Sequence, residues 1–161
     1  MRAKVVMCVI VPDPTLRVDE VDLPYQAFRI LFKYRIIYYI MKIDDIPLSK
    51  AFYRWRDAYK FDEYVYDIMM HIVNTEHPRI LLNRNPTLNY YSMLLLRIRK
   101  IQRDDHSATL AVPLSILPGL NADQPERSRS EGMVTCSLAL REHLTSGVTF
   151  YFRRLLTVEV N

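Results

Sequence analysis

The stretch FRILFKYRIIYYIMKI, residues 28–43, is the strongest strand-like pattern in the chain, and its reading decides the fold. Every second residue from Phe28 gives Phe28, Ile30, Phe32, Tyr34, Ile36, Tyr38 and Ile40, a row that is apolar throughout. Alternation in β-branched and aromatic residues predicts a strand with that row toward a core. The other row opens with Arg29, Leu31, Lys33 and Arg35 and turns apolar at Ile37, Tyr39 and Met41. At ~3.3 Å per residue the strand would be ~53 Å long. A compact chain of this size has a radius of gyration of ~15 Å. Such a strand must bend, break at a bulge or project beyond its own domain.

Outward from this stretch the signals are shorter. KVVMCVIV (4–11) reads as a buried strand stopped by Pro12 and Pro14. Residues 15–23 read as an irregular or edge segment. After Ile46, Pro47 suits a helix entry with Ser49 as N-cap. Leu48, Ala51, Phe52, Trp55 and Tyr59 then share one helical face, with Lys50, Arg54, Arg56 and Asp57 outward. A second helix starts at Asp62 and Glu63, carries the stripe Val65, Ile68, Met69, Ile72 and Val73, and ends before Pro78. Strands are expected over 88–101, in SATLAV, in MVTCSLAL and in VTFYFRRLLTVEV. PLSILPG reads as an apolar turn and 120–131 as a polar loop. The sum is α+β: a single domain with a mostly antiparallel twisted sheet of about five strands and two helices inserted after the long one. Residues 1–25 read as an N-terminal arm or strand, exchanged with a neighbouring subunit. Residues 26–161 read as the globular domain.

With 161 residues, 50% hydrophobic and 25% charged, the chain can bury a core and is too apolar to be disordered. Cys8 and Cys136 lie in apolar runs outside any CxxC pair, which predicts buried free thiols rather than a disulfide framework. No apolar run reaches the ~20 residues of a membrane span, and VVMCVIV has no cleavage-site pattern after it. His71 and His77 stand six apart with no cysteine near, a poor zinc pattern. Gly119, Gly132 and Gly147 are too scattered for a phosphate-cradling loop. No nucleophile motif is present. The expectation is a non-enzymatic protein with no cofactor, no metal and no small-molecule substrate.

The net charge of +4 is unevenly placed: residues 29–60 carry eight basic and three acidic side chains. Arg29, Lys33 and Arg35 on the strand's outer row, with Lys50, Arg54 and Arg56 on the helix, form a candidate site for an anionic partner or nucleocapsid. Arg79, Ile80, Leu81, Leu82 and Arg84 form a candidate membrane contact, an aliphatic tip with arginines at headgroup level. Val5, Val6 and Val9 are candidates for self-association by strand pairing, and Ile37, Tyr39 and Met41 for packing on another subunit.

The order of FKYRIIYYIMKI, AFYRWRDAY (Trp55, Asp57, Tyr59), KFDEYVYDIMMHIV, AVPLSILP and VTFYFRRLLTVEV, over roughly residues 28–160, resembles the matrix proteins of rhabdoviruses. The resemblance implies a viral structural protein that forms a homo-oligomeric lattice, condenses the viral nucleoprotein–RNA and bridges it to the inner face of the envelope through anionic lipid. Its location would be the virion, beneath the envelope, and the host cytoplasm. The family's PPxY budding motif is missing, which fits a compact plant- or insect-virus member. The second reading is a viral RNA-binding accessory protein such as a silencing suppressor.

Overall fold

A computed structural model describes residues 5–83, 93–104, 106–118 and 133–139. In it residues 28–43 are helical, which corrects the expected strand. Helix α1 (Tyr25–Leu31) and helix α2 (Lys33–Asp44) meet at Phe32, whose N–H still donates to the Phe28 carbonyl at 2.9 Å. The buried residues are Phe28, Leu31, Phe32, Ile36, Ile37 and Ile40, which follow a helical period. The alternating row is split instead, with Ile30 41% and Tyr34 67% exposed. Twelve of the sixteen positions are apolar or aromatic, enough to fit both periods, so local pattern cannot choose. Packing on α4 and the barrel chooses. The twelve residues of α2 rise only ~18 Å, and no long strand needs to be bent.

The next two helices follow their local signals unevenly. Asp45 ends α2 in the left-handed region, φ 49°. Pro47, with no side-chain cap, leads into α3 (Leu48–Asp57), so Ser49 is inside the helix and not its N-cap. Helix α4 (Glu63–Glu76) starts as expected: Asp62 Oδ1 accepts from the Val65 N–H at 3.0 Å. Its stripe Val65, Ile68, Met69, Ile72 and Val73 is buried, and it ends at His77, before Pro78.

The described residues also form six strands: β1 (Val5–Pro12), β2 (Glu20–Pro24), β3 (Arg79–Asn83), β4 (Met93–Gln102), β5 (Thr109–Val112) and β6 (Met133–Ala139). They run in the order β1-β5-β2-β4-β3-β6 and close into a barrel. The α+β class stands, while the sheet differs from the expected one. The β1–β5 and β2–β4 ladders are parallel while the other four are antiparallel, so the sheet is mixed rather than mostly antiparallel. Among the described residues four helices accompany it, the two expected and two more within residues 25–44. The apolar turn holds one 3₁₀ turn, Leu114–Ile116. Residues 84–92, the loop 120–131 and the last expected strand lie outside the described residues.

The N-terminal 25 residues include two barrel strands. Strand β1 pairs with β5 on one side and β6 on the other. Val6, Cys8 and Ile10 turn to the core and Met7 and Val11 to solvent; the Cys8 side chain is buried, as expected, and the Cys136 side chain lies outside what the structure describes. The segment read as irregular or edge contains β2, which is buried along its whole length between β5 and β4. Opposite β2, strand β4 passes from Ile98 to Lys100 over one partner step, leaving Arg99 in a bulge. That re-aims Arg99 at buried Asp22, which accepts from Nε at 2.9 Å and from Nη2 at 2.6 Å. A bidentate pair of this kind is what lets a carboxylate sit at 1% exposure. Helices α1 and α4 pack on the barrel, α2 on α4, and α3 chiefly on α2, so α3 is the outermost layer.

Candidate docking face of aromatic and basic side chains

The C-terminal end of α3 is held from α1. The Arg29 Nη2 donates to the carbonyls of Trp55 at 2.9 Å and Arg56 at 3.0 Å, and the Trp55 indole N–H donates back to the Arg29 carbonyl at 3.3 Å. The guanidinium also lies 4.3 Å from the centre of the Trp55 ring system. Tyr25 donates to the Ala58 carbonyl at 3.1 Å, and Gln26 to that of Tyr59. These donors satisfy carbonyls that a helix end leaves unpaired. Burial pushes the Arg29 pKa down from its ordinary value, the nearby Tyr25 opposing. Arg29 was expected to meet an external anion, but it is 7% exposed and spent on its own chain.

A second tie at the same end of α3 comes from Asp44 at the end of α2. Asp44 accepts from Arg54 at 3.0 Å and from the Tyr64 hydroxyl at 2.7 Å, while Arg54 lies over the Tyr64 ring. Desolvation, followed by the Asp44 hydrogen bond, pushes Tyr64 up to about 12. Arg35 is engaged similarly: its Nε and Nη2 reach Glu76 at 2.8 Å, and the Tyr39 hydroxyl donates to the same carboxylate. Arg56 pairs with neighbouring Asp57 at 3.1 Å, an exposed contact of little strength.

Beside these ties lies a face that the described residues leave exposed. The stripe Leu48, Ala51, Phe52, Trp55 and Tyr59 was expected to face the core. Of these only Ala51 is buried within α3; Leu48 is 61% and Tyr59 60% exposed, Phe52 and Tyr53 are exposed too, and Trp55 is half-buried. Lys33 sits 4.7 Å above Phe52 and 4.6 Å above Trp55. Arg56 covers Tyr53 at 4.7 Å, Lys42 covers Tyr38 at 5.3 Å, and Lys60 reaches Tyr59 at 5.9 Å. Each is within cation–π range. Lys33, Lys42, Lys50 and Lys60 have no carboxylate partner among the described residues. The arrangement is an apolar and aromatic strip edged by uncompensated positive charge.

Of the six residues expected to bind an anionic partner, Lys33 and Lys50 retain an unpaired charge on this face, Arg54 and Arg56 lie on it already paired, Arg35 is paired to α4, and Arg29 is internal. The face adds Lys60, Leu48, Phe52, Tyr53 and Tyr59, which the sequence reading did not select. Their signal was a short helix of mixed cations and aromatics, the pattern of a helix lying along a surface. The candidate self-association set does not form one exposed face. Ile37 is buried, Val6, Tyr39 and Met41 are half-buried against the core, and Val9 is half-exposed; the Val5 backbone pairs with β6. The candidate membrane tip is strand β3 of the barrel. Ile80, Leu81 and Leu82 are buried there, Arg79 is exposed at its start, and Arg84 lies outside the described residues. Aliphatics that fill a barrel are not available to a bilayer.

Compared with protein families and with functionally characterised proteins, the chain matches none. Other places in the fold are less suggestive. A shallow polar depression between α4 and β4 is lined by Glu20, Asn74, His77, Arg97 and Arg99. Its acids and bases pair with one another, Arg97 with Glu20 at 2.6 Å. Among the described residues no three His, Cys, Asp or Glu side chains form a group able to hold a metal ion, and no helix is long and apolar enough to cross a membrane.

Proposed function

We propose that this chain is a viral structural protein of matrix type, which self-associates, condenses a nucleoprotein–RNA complex and bridges it to the inner face of an envelope. The observation that carries the reading is the uncovered strip of Leu48, Phe52, Tyr53 and Tyr59 with unpaired lysines around it. An apolar strip of this kind on a small protein needs a surface to cover it, and its lysines favour an anionic one. The ordered helices α3 and α4 contain the AFYRWRDAY and KFDEYVYDIMMHIV elements on which the rhabdovirus resemblance rests. The departure from that resemblance is at its first element, helical here where a strand was expected.

Assembly is the testable core of the reading. Sedimentation velocity across protein concentration and salt should show growth from monomer to large species at low salt, with further growth on adding nucleoprotein–RNA. A strict monomer under all these conditions overturns the reading. Tight, salt-sensitive binding of naked RNA without assembly would favour an RNA-binding accessory protein instead.

A further inference from the structure

We propose that the α3 strip is the membrane-docking surface of this protein, taking the anionic headgroup layer of a lipid bilayer, with Leu48, Phe52, Tyr53 and Tyr59 entering the interface. This rests on the matrix-type reading and moves its membrane contact from β3 to α3. The chemistry matches at two levels. A helix lying in the interfacial plane presents aromatic and aliphatic side chains to the acyl boundary and cations to the headgroups. Here the apolar side chains project from the outermost layer of the fold, and Lys33, Lys50 and Lys60 accompany them without a carboxylate partner among the described residues. Lysines with long alkyl stems reach the headgroup level while their stems lie along apolar surface.

The same residues suit single-stranded RNA less well. Base stacking needs open ring faces, and here cations lie over the rings: Lys33 over Phe52 and Trp55, Arg56 over Tyr53, Lys60 over Tyr59. Leu48, at the first turn of α3, offers an RNA base nothing but offers a bilayer a buried aliphatic. The ties by Arg29 and by Asp44, both at the C-terminal end of α3, fix how that end sits on α1 and α2.

The experiment is co-flotation of the full chain with phosphatidylcholine vesicles, with and without phosphatidylserine, read alongside the fluorescence of Trp55, the single tryptophan. The wild type should float with the phosphatidylserine vesicles only, and Trp55 emission should shift to the blue. The double variant Leu48→Ser/Phe52→Ser should lose flotation while keeping its circular dichroism. Lys50→Glu/Lys60→Glu, at exposed positions, should weaken partition more than about twentyfold, since each lysine near an anionic surface is worth about fivefold. Unchanged flotation of both variants overturns the proposal. So does a wild type that ignores vesicles and binds single-stranded RNA. Assembly without flotation sinks the docking surface and leaves the matrix-type reading standing. Flotation by a protein that never assembles does the reverse.

Discussion

Arg29 is the basic residue whose role changed most on folding. Its guanidinium supplies two charge-assisted hydrogen bonds to the end of α3 and lies against the Trp55 ring. Methionine there would keep the stem and strand the two carbonyls. Arg29→Met should cost about 2–3 kcal/mol, read as a lower urea midpoint, whereas Lys50→Met should stay within about 0.5 kcal/mol. Tyr64 gives a pH test. Its folded pKa, about 12, lies above the ordinary tyrosine value of 10.0. Between the two the native state holds a proton that the unfolded chain has lost, so stability falls as pH rises. The Tyr64 contribution should be intact below pH 10 and fade through pH 12, and Tyr64→Phe should flatten that alkaline limb in thermal melts.

Helices α2 and α3 are joined by a turn built on Asp45, a non-glycine residue at φ 49°. A left-handed backbone costs an L-residue with a Cβ about 1–2 kcal/mol, and a carboxylate at a helix C-terminus opposes the dipole. Glycine removes both penalties and adds back some unfolded-state entropy. Asp45→Gly should therefore stabilise the protein by about 0.5–1 kcal/mol, seen as a higher Tm with unchanged circular dichroism. At this scale α4 was legible in full, because Asp62, the five-residue stripe and Pro78 all give the same reading. Helix α3 was legible as a helix and misread as to its face. Its period says where the apolar stripe is; whether a core meets that stripe depends on elements far away in sequence.

At the scale of the whole molecule, the barrel and the strip are opposite uses of similar residues. Leu82 fills the core and is fully buried, while Leu48 stands exposed on α3. Leu82→Ala should cost about 2–5 kcal/mol in chemical denaturation, and Leu48→Ala close to nothing. Equal costs would mean that α3 turns its stripe inward. Barrel closure also has a consequence for assembly. Each strand has neighbours on both sides within the chain, so self-association would run through side-chain faces, chiefly helical ones, rather than through strand addition.

Local chemistry in the sequence was enough for the α+β class, the cap and stripe of α4, strands β4 to β6, the buried Cys8 thiol and the clustering of basic residues before position 60. Each of these rests on near neighbours along the chain. Three matters were settled only by tertiary structure. Residues 28–43 became helices because a stretch apolar at twelve of its sixteen positions fits either period, and only packing against α4 and the barrel selects one. Arg29 became an internal clamp because the carbonyls it serves are 26 and 27 residues away. The aliphatics of β3 went into the barrel and those of α3 to the surface because a closed barrel takes up one set of apolar faces, and a helix in the outermost layer finds no second core to bury its own.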